Sequence, residues 1–418
     1  MPSGALSSVH YGYEKYFNSD AGAAVDWAGT YKTLSSTAIY TFGHGVKISN
    51  LERANNIENI WGLGSRSATV NLEKQFSGSF SVDCILSNPD IFTHIMGAGL
   101  VIGDAGGAST TMGATGPAAG DYSFDVTDST SMAVGDVLKL THSSTATNTE
   151  YVQIKAIDTN TITVWSPLVF TYDASATVVE YTDVSAGSTY THVYREMDTL
   201  PSIQVQNSMN RATDQKWLLK GCINTNATIS AAINEAATIK LDYNYMDELR
   251  SDTAFVEQTI ETYDVYSFAY GGLSLPNATT LANVQSVEIG INQNSEVIYG
   301  LGSRTGSTGL GKNREYSISA SMYFLDDADL LNYAYDGTNS GTGPAAISNA
   351  SLKLIFDNGQ AGSNQRTIQF DFGNVKIDTE TLNQAIDAPV VEDVTFKTRG
   401  CQVSSKTNDD EIPYIWVA

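Results

Sequence analysis

Apolar and polar side chains alternate along residues 77–86, placing Phe80, Val82 and Cys84 on one face. A period of two sends successive side chains to opposite sides of an extended chain, so this stretch predicts a half-buried strand. Leu241, Tyr243 and Tyr245, then Val394, Phe396 and Thr398, repeat the pattern, and residues 316–323 alternate in the same way. Tyr11, Tyr13 and the stretches 37–42 and 46–48 read as shorter strands joined by loops. Two stretches break this rhythm. Residues 88–97 carry a capping Asn88, Pro89 near the first turn and Gly97 after the last, the start and stop signals of a short helix. Residues 326–335, closed by Gly337, match it, with Asp326, Asp327 and Asp329 crowding the end where the helix dipole favours negative charge. Those acids lack the ligand spacing and distal Glu of a calcium loop, so a helix start is expected.

The chain also writes one pentapeptide twice, Gly62-Leu63-Gly64-Ser65-Arg66 and Gly300-Leu301-Gly302-Ser303-Arg304. At this offset of 238 residues (300 − 62), Asn56 falls on Asn294, Glu58 on Glu296, Ile60 on Ile298, Trp61 on Tyr299 and Lys74 on Lys312. A register held that long marks an internal duplication. Further along, residues 228–234 read like 381–387 at an offset of 153 (381 − 228). The first copy therefore carries 85 residues (238 − 153) that the second lacks, between Gly99 and Thr199.

Residues 103–187 hold that surplus. A Gly/Ala/Ser/Thr-rich lead-in over 103–120 precedes five stretches of strand character, at 122–126, 137–141, 151–157, 161–165 and 177–181. The exit at 185–188, like the lead-in, has flexible linker composition. The expected fold is mainly β: two tandem β-sandwich or barrel domains, each with a short flanking helix, and an inserted small β-barrel or sandwich. The first domain is discontinuous, 1–102 and 188–250; the insertion is 103–187; the second domain is 251–418. Near the C-terminus, Pro413 cannot donate a ladder hydrogen bond, so residues 414–417 either add an edge strand to a neighbouring subunit or pack as an ordinary terminus.

Composition agrees with β structure: 22 Tyr and 35 Gly, with abundant Ser and Thr, suit short strands and tight turns. Only 17% of the residues are charged, which suggests surface hidden in an assembly. The net charge of −23 argues against tight nucleic-acid binding and leaves two readings, solubility in a salty medium or a surface that repels polyanions. Cys84, Cys222 and Cys401 are too few and too far apart for a disulfide framework or zinc site, and read as reduced core residues. The opening Met-Pro-Ser-Gly-Ala-Leu-Ser-Ser lacks a secretory pattern, and no apolar run approaches the roughly 20 residues that cross a bilayer, so a soluble compartment without membrane insertion is expected.

Candidate chemistry is thin. Residues 306–313 fall one residue short of a phosphate-binding loop, and Asn313 stands where a magnesium-holding Ser or Thr is needed; a Gly-rich mobile hairpin is the simpler reading. The duplicated Gly-Leu-Gly-Ser-Arg is read as a turn needing unusual backbone angles, with Arg66 and Arg304 each pairing a carboxylate in the core or on a neighbour. No catalytic triad or metal spacing stands out, and nothing asks for a cofactor; an enzyme is not expected.

Several features occur in a fixed order: Tyr11-Gly12-Tyr13-Glu14, an alternating run ending at the Gly-Leu-Gly-Ser-Arg turn, a Gly-rich hairpin, a strand, and a short Asp-Ile-Phe or Asp-Leu-Leu helix. In this order they resemble the major tail tube protein of tailed bacterial or archaeal viruses, in a variant with two tube domains per chain. The resemblance covers both copies and leaves out 103–187. It implies homotrimeric, pseudo-hexameric rings stacked into the tube that conducts the viral genome, located in the virion tail and assembled in the host cytoplasm. It also implies partners among other tail proteins (tape measure, terminator and distal tail protein) and viral DNA passing an acidic lumen without tight binding. The hairpins, with Gly64, Arg66 and Lys74 in one copy and Gly302, Arg304, Lys312 and Arg314 in the other, are candidates for contacts between rings or subunits. The insertion is expected on the tube's outside. The alternative is a β-rich adhesin or receptor-binding tail component that recognises host glycans through Tyr122, Trp165 and Tyr172 of the insertion.

Overall fold

The structure, a computed structural model, describes residues 7–18, 26–35, 39–183, 190–209, 215–251, 265–275, 281, 283–323, 350–361, 365–384 and 389–407. The expected helix at 326–335, the exit linker at 185–188 and the stretch 412–417 lie outside the described residues. Within them the chain is almost wholly extended, as the alternation predicts, with one short helix at Ile91–Met96.

One sheet shows the duplication directly. Its strands lie in the order His44–Ala54, Ser77–Ile85, Thr238–Tyr245 and the second half of Gln215–Ala232, followed by Val284–Asn292, Glu315–Tyr323, Val391–Lys397 and the second half of Thr367–Asn383. The first four belong to copy one and the last four, in the same order, to copy two. One irregularity recurs as well: a bulge between Asn224 and Asn226 has its counterpart between Ile377 and Thr379. A bulge is a local device that re-aims a strand, so its repetition at the offset of 153 reflects inheritance of backbone geometry.

Both long strands bend and leave this sheet. The first half of Gln215–Ala232 pairs with Ser202–Met209 and Asp247–Ser251, and Ser202–Met209 pairs with Ser7–Asn18. In copy two, the first half of Thr367–Asn383 pairs with Ala350–Asp357 and Gly400–Thr407. The core fills the space between these outer sheets and the eight-stranded one. It is a single apolar cluster running from Tyr11 to Val403 through both copies, with Tyr243, Phe80, Phe370, Phe372 and Phe396 among its fully buried rings. The helix sits inside it with all six residues buried, and Phe92 meets Phe370 of copy two at 5.5 Å.

The insertion has its own core cluster, drawn wholly from residues between Met112 and Val178. Its strands Ser123–Asp125, Val137–Thr141, Thr149–Asp158, Thr161–Val164 and Thr177–Asp183 fall where the alternation placed them. Two expectations need correction. The Gly-rich lead-in is not a linker up to Thr111: Gly97–Thr111 is one continuous strand, paired to Tyr190–Glu196 at its start and to Thr177–Asp183 at its end. The backbone ladder of this strand is one of the links between the two bodies. The helix cap is Asp90 rather than Asn88, whose Oδ1 instead accepts the Asp90 backbone N–H at 3.0 Å.

Candidate functional site: the assembly surfaces

The eight-stranded sheet turns one face to the core and leaves the other free. Directly paired residues share a face, so the register spells out what that free face carries. One row runs Thr238, Ser230, Glu288, Ser319, Thr395, and another runs Lys47, Asp83, Lys240, Thr228, Gly290, Ser317, Lys397, Lys376. Hydroxyls dominate the first. Two lysines of the second row have a carboxylate nearby, Lys240 Nζ 3.8 Å from Asp242 and Lys397 Nζ 3.0 Å from Asp378, while Lys47 and Lys376 at its ends make no ion pair among the described residues. Glu288 has no cationic partner among the described residues. A shallow groove across the middle of this face is lined by Ser230, Glu235, Ser286, Glu288, Ser319 and Asp393.

Copy one meets copy two along a seam where Asn226, Ala227, Thr228 and Ile229 pair with Asn292, Ile291, Gly290 and Ile289. The two outer edges of the same sheet, His44–Ala54 and the end of Thr367–Asn383, have no further strand beside them among the described residues. Unpaired edges of this length present free N–H and C=O groups and are templates for another chain.

The duplicated pentapeptides form the tips of two hairpins, Ile57–Ile60 with Val70–Glu73 and Glu296–Tyr299 with Gly306–Leu310. Gly64 (φ 83°) and Gly302 (φ 87°) take the left-handed conformation that a side chain disfavours. The second hairpin lies on copy one: the Tyr299 hydroxyl donates to Phe76 O at 2.7 Å, and Gly306 N donates to Met246 O at 3.2 Å. Arg304 reaches Glu73 at 2.8 Å and donates to Lys74 O and Asn55 O at the base of the first hairpin. The first hairpin is exposed along both strands, including Ile57, Ile60, Val70 and Leu72, and Trp61 at its turn is 61% exposed.

The other candidates from the sequence are placed as follows. Lys74 pairs with Glu58 and Lys312 with Glu296, the same bond in each copy. Arg66 is exposed and pairs with no acid among the described residues. Arg314 is held inside the chain, donating to Gln293 Oε1 at 2.7 Å and Met197 O at 3.2 Å and pairing with Glu196 at 3.3 Å. The near-phosphate loop is a strand, Gly306–Leu310, seated in its hairpin.

The Tyr11-Gly12-Tyr13-Glu14 stretch ties the N-terminal strand to the helix. Both tyrosine hydroxyls donate to Asp90, Tyr13 at 2.7 Å. Burial lifts the Asp90 carboxyl to about 6, although the hydroxyls of Tyr11, Tyr13 and Thr93 pull it back down. Burial likewise lifts Glu14 to about 7, where it accepts from the backbone N–H of Gly221 and Lys32. Burial drives His94 down to about 3, keeping it neutral beside Tyr243. These buried groups are spent on structure, and no cluster of metal-ligating side chains occurs among the described residues.

The insertion is fixed by an ion pair that alternation could not reveal. Arg195 of copy one donates at 2.9 Å to both Glu150 of the insertion and Gln402 of copy two, and Glu150 also accepts from the backbone of Val169 and Phe170. All three side chains are buried. Such a pair offsets its desolvation cost only when every hydrogen-bonding group is used, as here. Beside it, the backbone of Val169 lies so close to Gly373 that a Cβ there would stand 1.9 Å from Val169 O. Gly373 and Gln402 point away from the core, so the insertion sits on the far side of copy two's outer sheet from the hydroxyl-rich face. Of its aromatics, Tyr172 is buried and Trp165 is half-buried against Phe17 at 5.2 Å, which leaves Tyr122 exposed.

Residues 4–398 match a family model described as phage tail tube protein. No curated protein matches the chain.

Proposed function

Because the chain belongs to the phage tail tube protein family, a family of structural tail components, we propose that three copies close into a pseudo-hexameric ring and that rings stack into the tube conducting the viral genome. The observation that carries this reading is the seam. Two equivalent four-stranded blocks already stand side by side in one sheet, and the sheet ends in two open edges of the same kind. A head-to-tail contact repeated between copies gives a ring when its rotation closes. Six equivalent blocks in three chains then wall a channel with the hydroxyl-rich face inward.

That face suits passage of a polyanion. Phosphates bind where cations are free to displace counterions; here Lys240 and Lys397 stand beside carboxylates and Glu288 adds uncompensated negative charge between them, while Lys47 and Lys376 lie on the two edge strands of the block pair. The acids expected to repel DNA are thus set in a carpet of serine and threonine. The division into two tube domains and an insertion follows the block pattern, and the insertion's seat on the far face supports its place outside the wall. We assign the exposed first hairpin, with Trp61, Gly64 and Arg66, to a contact with another copy, and the seated second hairpin, with Gly302, Arg304 and Lys312, to the same role within the chain. Other tail proteins meet the tube at its ends.

Negative-stain electron microscopy of the purified protein tests this. Threefold rings or filaments with a central bore are expected; compact particles without a passage, at concentrations that saturate assembly, would overturn it.

A further inference from the structure

The seam inside the chain is a template for the contact between chains. We infer that residues 51–54 of one copy pair antiparallel with residues 379–382 of the next, in the register Leu51–Leu382, Glu52–Thr381, Arg53–Glu380 and Ala54–Thr379. This inference rests on the ring proposed above and names the residues that close it.

The register follows from the duplication. At the seam, Ile229 pairs with Ile289 and Ala227 with Ile291. Adding 153 to the first partner and subtracting 238 from the second, the offsets read in the sequence, gives Leu382 with Leu51 and Glu380 with Arg53. The strands obey both offsets locally: Ala54 pairs with Ser77 as Asn292 pairs with Glu315, and the bulge after Ile377 matches the one after Asn224. The pairing of His44–Ala54 with Ser77–Ile85 is irregular between Ser49 and Glu52, so Asn50 (φ 52°) and Leu51 together span a bulge that the Val284–Asn292 strand lacks there. The offset runs unbroken over Glu52–Ala54, and Leu51 is the bulge residue adjoining that stretch.

Two features that played no part in deriving the register agree with it. Leu51 and Leu382 are 39% and 45% exposed, whereas their counterparts Ile289 and Ile229 are 0% and 1% exposed. Each open edge thus shows an unburied leucine at the position that is buried where a neighbour is present. One register places the two leucines opposite each other. The same register sets Arg53, which already pairs with Glu248 of its own chain at 2.9 Å but is 60% exposed at its side chain, against Glu380, an opposite charge across the strands. A one-residue slip would send Leu51 to the channel face and set Arg53 against a threonine.

Cysteine cross-linking tests the register. Directly opposed residues on antiparallel strands stand about 4.5–5.5 Å apart between Cα atoms, within disulfide reach, and the native Cys84, Cys222 and Cys401 are buried. Mild oxidation of assembled Leu51→Cys/Leu382→Cys protein should give covalent dimers and trimers and nothing larger. Either single variant should stay monomeric on a denaturing gel, as should the out-of-register pair Ala54→Cys/Leu382→Cys. A charge variant guards against misfolding of the cysteine variants: Glu380→Arg, which leaves the Arg53–Glu248 pair of each chain intact, should raise the concentration needed for assembly severalfold, and Glu380→Gln should raise it less. Rings that form without the Leu51–Leu382 cross-link, or that cross-link equally out of register, would overturn the register and leave the ring standing. Wild-type protein that never forms rings would overturn both.

Discussion

The Ile57–Ile60/Val70–Glu73 hairpin and the Glu296–Tyr299/Gly306–Leu310 hairpin share their tip sequence, their Glu–Lys ion pair and their left-handed glycine. Even the residue that leads into each is the same: Asn56 and Asn294, both at positive φ, donate to the equivalent carbonyls of Gln75 and Asn313. Yet the strands of the first are exposed throughout, while in the second Glu296–Tyr299 is half-buried and Gly306 and Gly309 of its partner strand rest on copy one, against Met246 and Ile223. Local sequence therefore sets the shape of the hairpin, and a neighbour sets its environment. The second hairpin has its neighbour within the chain. In the proposed ring the first finds its neighbour in another copy; the exposed Trp61 stands where the second copy has the seated Tyr299.

Substitution at this pair of positions separates the settings most strongly. Trp61→Ser should leave the thermal melting of the unassembled chain unchanged and abolish rings or filaments. Tyr299→Ser, which loses the bond to Phe76 O and its packing, should instead cost the chain about 1–2 kcal/mol. Equal effects of the two on the unassembled chain would show that the first hairpin is already seated. A smaller contrast is expected at the arginines. Arg304→Ala removes the contacts to Glu73, Lys74 and Asn55 across the copies, and should cost about 0.5–1.5 kcal/mol in chemical denaturation. Arg66→Ala should fall within about 0.5 kcal/mol of the parent. A larger loss at Arg66 than at Arg304 would invert the assignment of the two hairpins.

Much of this was open to reading in the chain because alternation is a local signal. Phe80, Val82 and Cys84 face the core as their spacing requires, and all five strands of the insertion fall within a few residues of their predicted places. The duplication was equally plain, since identical residues at a fixed offset need no structure to be seen. What stayed hidden depends on partners distant in sequence. Nothing near Arg195 announces Glu150 or Gln402, because an ion pair between three bodies leaves no periodicity. The lead-in to the insertion looked like a linker because glycine and serine hide a ladder that its partner strands supply. The edge residues Leu51 and Leu382 sit in stretches of weak pattern. Carrying the two offsets through to their counterparts Ile289 and Ile229 would have found them. The hydroxyl face was legible only after the register placed strands from both copies in one row.

The central claim is that the seam within one chain is repeated between chains until the sheet closes. Native mass spectrometry of the smallest closed particle tests it most directly. The account predicts three chains of 44.8 kDa each, which supply six equivalent blocks. A closed particle of two or six chains, or a protein that remains a single chain under conditions that favour assembly, would contradict it.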